Sequence, residues 1–234
     1  MKILAFETSA IAASVALLDD GKLIGEYYQN CGQTHSRTLM KMAEDLLKNC
    51  SVTIGQLDAV ACAAGPGSFT GVRIGVAAAK GMAWGAEKPC IGVSTLEAMA
   101  YQAASFDGII CCAMDARRAQ VYCALFEAGN GALTRLCEDR AISIEELAHE
   151  LKNYEKAKIM VGDGAVLCYN AIGRMMPECI CAPEHQRMQR ASGVALAAEA
   201  KILRGEKADG AALVPNYLRL SQAERERLQK TEGV

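Results

Sequence analysis

The chain has 234 residues, 51% of them apolar, and a net charge of −2. That length suffices for one large domain or two small ones, each with a real core. The near-zero charge excludes a global field that gathers nucleic acid, and no apolar run is long enough to cross a membrane.

The apolar start, Met1 to Phe6, meets Glu7 at once and is too short for the core of a signal peptide, so a cytoplasmic location is expected. Residues 2–7 and 12–18 are predicted strands joined by the polar turn Glu7-Thr8-Ser9. Asp19-Asp20-Gly21 then turns the chain into a third strand, 22–28. From 34 to 50 the period becomes helical, with Leu39, Met40, Ala43, Leu46 and Leu47 on one face. A buried strand over 57–64 ends in Gly65-Pro66-Gly67-Ser68 and leads into a helix over 69–86, a strand over 90–93 and a helix over 95–103. The second half begins in the same way, with strand 109–114 closed by Asp115, strand 119–126, a turn at 129–131 and a third strand. One offset aligns Ala5 with Ala113, Glu7 with Asp115, Ala16-Leu17 with Ala124-Leu125, Asp19 with Glu127 and Gly21 with Gly129, which points to an internal duplication. Beyond it, a helix over 143–153 is capped by Ser143, with Glu146 completing a capping box. A strand over 158–161, Gly162-Asp163-Gly164 before a short helix, and a helix over 191–204 ended by Gly205 follow. A final helix is expected after Pro215-Asn216-Tyr217-Leu218-Arg219. No linker separates the halves, so two packed lobes are expected, 1–103 and 104–234, the last helix able to pack back on the first lobe.

Eleven cysteines fall mostly inside apolar runs (Cys62, Cys90, Cys111, Cys112, Cys123, Cys168), where a thiol acts as a small hydrophobe. Cys179-x-Cys181 has no second pair to complete a zinc site, and no metal site is expected. His35, His149 and His185 are scattered, and no Ser/His/Asp arrangement can be assembled. Glu7, Thr8 and Ser9 could hold magnesium and a phosphate, or the hydroxyls could satisfy the turn's own backbone; the missing glycines weigh toward the second. Asp115, Arg117 and Arg118 offer guanidinium forks for a phosphate or carboxylate, or a local ion pair. Gly65 to Gly71 is neither a Walker loop nor a dinucleotide fingerprint. In the helix that follows, Gly71, Gly75, Ala79 and Ala83 form a smooth row at steps of four, suited to close helix approach within the core or against a partner.

Four runs together resemble the TsaB (YeaZ) family over nearly the whole chain: residues 3–9, residues 65–75 with Ala79-Lys80-Gly81, Met114 to Arg118, and Pro215 to Arg219. The resemblance implies an α/β fold of the duplicated, two-lobed actin/sugar-kinase/Hsp70-like type (ribonuclease H-like). It also implies a part in threonylcarbamoylation of adenosine 37 in tRNAs that read codons beginning with A. In that family the chain supports a catalytic, metal- and ATP-binding paralogue, TsaD, and an ATPase, TsaE, joins the assembly. Carried over, the TsaD-facing surface is Leu39, Met40, Ala43 and Leu47 on one helix and Gly71, Val72, Gly75, Ala79 and Met82 on the next. A large residue at Gly75 or Ala79 is then expected to abolish pairing and leave the fold intact. Homodimers are expected when TsaD is absent, tRNA is met only indirectly, and ATP or ADP with magnesium is expected, if anywhere, at the partner interface. TsaD-type sequences carry two metal-holding histidines where this chain has Thr95 and Met99, in the run from Val93, so a non-catalytic subunit is expected. The alternatives are an ATP-binding kinase or ATPase using Glu7, Asp115 and Gly162-Asp163-Gly164, and a metallopeptidase, against which the missing histidines speak.

Overall fold

The computed structural model describes residues 1–206 and 210–219. The final helix expected after Arg219 lies outside the described residues. The first lobe opens with β1 (Lys2–Glu7), β2 (Ala13–Asp19) and β3 (Lys22–Gln29), an antiparallel meander. Its hairpin turn closes at Asp20 and Gly21, both in the left-handed region that a two-residue turn needs. After α1 (His35–Asn49), β4 (Ala59–Ala63) returns parallel to β1, and after α2 (Phe69–Gly85), β5 (Cys90–Val93) lies parallel to β4. The sheet order is β3-β2-β1-β4-β5.

Following α3 (Thr95–Gln102), the pattern repeats with β6 (Gly108–Asp115), β7 (Gln120–Gly129), β8 (Ala132–Arg135), β9 (Arg140–Ser143), α4 (Ile144–Leu151), β10 (Lys158–Val161), α5 (Ala165–Ala171) and β11 (Cys179–Cys181). The second sheet runs β11-β10-β6-β7-β8, with β9 beside β7, so each sheet is a three-strand meander extended by two parallel strands. The duplication is thus visible in the topology. One pairing from the sequence is corrected: Gly129 ends β7, and the counterpart of Asp20-Gly21 is the left-handed pair Asn130-Gly131. The shift arises because β7 is three residues longer than β2, ten against seven. The capping box forms, with Ser143 Oγ accepting the Glu146 N–H and Glu146 accepting the Ser143 N–H, each at 3.1 Å.

The outer face of the first sheet is covered by α1 and α2, that of the second by α4 and α5. A short helix, α6 (Glu184–Arg187), precedes α7 (Ala191–Leu203). Although it falls late in the chain, α7 packs on the first sheet, where Val194, Ala195 and Ala198 meet Ile3, Ala5 and Ile91. Conversely Leu96, Met99 and Ala100 of α3 pack on the second sheet. The two helices touch each other closely, since a Cβ at Gly193 would stand 2.3 Å from the Ala98 carbonyl. The lobes are therefore joined by exchanged helices.

Candidate functional site

Glu7 ends β1 and Asp115 ends β6, and Glu7 is buried, 1% exposed. The Ser9 N–H donates to Glu7 Oε1 at 2.6 Å, while Oε2 has no partner among the described residues. Burial pushes the Glu7 carboxyl up to about 7; the Ser9 hydrogen bonding opposes this, and the charge of Asp163 adds to it. Asp163 stands in a crevice, reached by solvent yet crowded by protein. That crowding raises its carboxyl, the Gln189 amide donating at 2.7 Å holds it back, and Asp115 raises it further. Asp115 is exposed and accepts the Arg117 N–H at 2.7 Å. The structure thus brings Glu7, Asp163 and Asp115 near enough for their charges to be felt in turn, with Arg117 and Arg118 exposed on the loop after Asp115.

The glycine run explains itself here. Ser68 N donates to Ser9 O at 2.7 Å and caps α2, its Oγ accepting the Gly71 N–H. A Cβ at Gly67 would lie 2.5 Å from Ser9 O, at Gly71 2.1 Å from Thr8 O, and at Gly75 2.4 Å from Thr8 Oγ1. The Thr8 hydroxyl donates to Gly71 O at 2.7 Å rather than to its own turn. The first turn of α2 is thus clamped on Thr8 and Ser9, while the Ser9 hydroxyl has no partner among the described residues. Thr95 and Met99 are both buried, and Met99 is committed to the core with Ile110 and Cys112. The described residues form no group of three His, Cys, Asp or Glu side chains able to hold a metal ion.

The partner surface read from the sequence is corrected. Leu39, Ala43, Leu47, Val72 and Ala79 belong to the chain's own core, and Gly71 and Gly75 are buried against Thr8. Their row faces inward because the β1–β2 turn fills the space beside it. Of the expected contacts, Met40 is 48% exposed and Met82 is half-buried. The face that α2 leaves open is Ala77, Gly81, Trp84 and Gly85, beside the half-buried Ile74, Ala78 and Met82. A Cβ at Gly81 or Gly85 would meet nothing within 4 Å, and Trp84 is 87% exposed. Sequence reading missed this face, although Ala77, Gly81 and Trp84 recur at helical spacing opposite the glycine row.

A strap ties the two lobes together. Asn216 N donates to Ala64 O at 2.6 Å, Tyr217 stacks on Phe69, and the Arg219 side chain donates to Ala116 O at 2.7 Å, so residues 216–219 touch both lobes. Gly65 accommodates it with φ +111°, where a Cβ would stand 2.5 Å from Asn216 O.

Among known proteins, the family model for TsaD, tRNA N6-adenosine threonylcarbamoyltransferase, matches residues 29–227. The tRNA threonylcarbamoyladenosine biosynthesis protein TsaB of Bacillus subtilis (strain 168) is 35% identical over 225 residues, 96% of each chain. The solved YeaZ from Pseudomonas aeruginosa superposes with a TM-score of 0.79 at 28% identity, over 93% of this chain and 99% of that one. A ROK hexokinase from Thermus thermophilus, at 11% identity and a TM-score of 0.51 over 88% of this chain and 100% of its own, shares the fold alone. The duplicated lobes thus have the actin/sugar-kinase/Hsp70-like fold, and the chain belongs to the TsaB (YeaZ) family of tRNA threonylcarbamoyladenosine biosynthesis proteins.

Proposed function

We propose that this chain is a non-catalytic subunit of the cytoplasmic machinery that places threonylcarbamoyl on tRNA adenosine, and that it works by pairing with and supporting a TsaD subunit. The observation that carries this reading is the clamp of α2 on Thr8 and Ser9. It engages the Thr8 hydroxyl, a donor that a phosphate would need, and presses α2 against the hairpin. In the same reading Met99 serves the core, not a metal. Pairing uses the outer face of α2, with Ala77, Gly81, Met82 and Trp84, together with Met40 on α1. Small residues there permit close helix approach and a lone exposed tryptophan supplies an anchor. A homodimer through the same face forms when TsaD is absent, TsaE joins the assembly, and ATP or ADP with magnesium binds only where TsaD completes the site.

The test is reconstitution. TsaD is expected to co-purify with this chain, and threonylcarbamoyl transfer to tRNA is expected to need both, while the chain alone takes up no magnesium-ATP at millimolar concentration. Transfer at full rate by TsaD without this chain would overturn the reading, and nucleotide binding by the isolated chain would favour an ATPase instead.

A further inference from the structure

The strap touches two arginine-bearing elements, α2 through Arg73 and the β6–β7 loop that carries Arg117 and Arg118. Tyr217 stacks on Phe69 with ring centroids 4.4 Å apart and an interplanar angle of 19°. Arg73 Nε donates to the Tyr217 hydroxyl at 2.6 Å. Two residues on, Arg219 holds the Ala116 carbonyl, which fixes the loop that carries Arg117 and Arg118. Arg117, Arg118 and Ala119 are successive left-handed residues, with φ of 62°, 57° and 56°, a conformation that non-glycine residues keep only where the surroundings impose it. Gln120 N to Arg117 O and Ala116 N to Gln120 O brace the loop from within.

Arg73, Arg117 and Arg118 are exposed, and among the described residues neither these three nor Arg219 is paired with a carboxylate. Asp115, the acid of the same loop, accepts the Arg117 backbone N–H and leaves both guanidiniums free. By contrast, Arg135, Arg140 and Arg190 are each matched with a carboxylate. Unmatched guanidiniums on a braced loop are preorganised forks for phosphate oxygens. Tyr217 itself is engaged locally, with Phe69 stacked on its ring and the Arg73 guanidinium lying over it 5.4 Å from the centroid.

We propose that the loop carrying Arg117 and Arg118 is a direct contact for the phosphodiester backbone of RNA, with the two guanidiniums meeting phosphates. The proposal rests on the tRNA-modification reading above and replaces the expectation that tRNA is met only indirectly. With a net charge of −2, attraction of RNA must be local, acting over about 8 Å in physiological salt.

The test compares wild type with an Arg117→Gln/Arg118→Gln double variant, each assembled with TsaD. Binding of an unmodified tRNA transcript reading a codon beginning with A is followed by fluorescence anisotropy through a salt series. The variant is expected to bind about tenfold more weakly, and the slope of log K against log salt to fall by about 2, one per lost phosphate contact. An Arg117→Lys/Arg118→Lys variant, which keeps the charge, should retain the wild-type slope. An unchanged slope in the glutamine variant overturns the proposal, as does loss of TsaD pairing with undiminished tRNA affinity per assembled complex, which would make the arginines a protein contact. Threonylcarbamoyl transfer measured in parallel separates the two readings. Wild-type transfer that depends on this chain, beside an unchanged slope, sinks the RNA contact alone, whereas transfer that ignores the chain sinks the functional reading alone.

Discussion

Glu7 is a carboxylate held where charge is expensive, so the folded chain should resist its ionisation. Its carboxyl rises from an ordinary 4.5 to about 7 on folding. The folded state then binds the proton more tightly than the unfolded one, and stability falls as pH climbs from about 4.5 to about 7 and stays low above that. Glu7→Gln should therefore be more stable than wild type at pH 8, by about 3 kcal/mol at most, with the advantage gone by pH 4. Urea unfolding at both pH values reads this directly, and a pH-independent difference would show that burial does not govern this side chain. Gly71 gives a second residue-scale expectation. A methyl group there meets the Thr8 carbonyl at 2.1 Å, so Gly71→Ala should destabilise by about 1–3 kcal/mol in thermal melts. The earlier expectation for a large residue at Gly75 is reversed on the same ground, because it should damage the fold before it touches pairing. That Glu7 and Asp115 mark equivalent places was legible from the repeat. What Thr8 bonds to was not, because its partner is 63 positions away and turn chemistry offers a nearer one.

The helix α2 shows how far periodicity reaches. A row at steps of four identifies a face but not the direction that it points, and the glycine row suited a partner as well as the chain's own β1–β2 turn. Only burial decides, and it assigns Gly71, Gly75 and Ala79 to the inside and Ala77, Gly81 and Trp84 to the outside. Gly81→Arg should accordingly leave the melting temperature close to wild type while abolishing co-elution with TsaD. A variant that melts early, or one that still pairs, would remove this face from consideration. At α4 the reading from sequence and the structure coincide, because a capping box is a contact three residues long. Ser143→Ala should cost about 1 kcal/mol, measured by denaturant unfolding. The strands β9 and β11 escaped prediction because neither is a continuous apolar run: β9, Arg140 to Ser143, is polar at both ends, and β11 has only three residues.

At the scale of the whole molecule, the lobes share helices: α7 covers the first sheet and α3 the second. Neither lobe keeps its core if the other opens, so near- and far-ultraviolet dichroism should trace one coincident unfolding transition, and two separated transitions would contradict the exchange. The duplication was readable from hairpins at matching positions, whereas the exchange was not, because an alanine-rich helix such as 191–203 is equally apolar on every side and names no destination. The chain's single tryptophan sits at the end of α2, in water. Nature has thereby placed one indole fluorophore on the face assigned to pairing. Its emission should be red and readily quenched by acrylamide in the free chain, then turn blue and shielded as a second helix covers it. The colour of that light reports occupancy without any label.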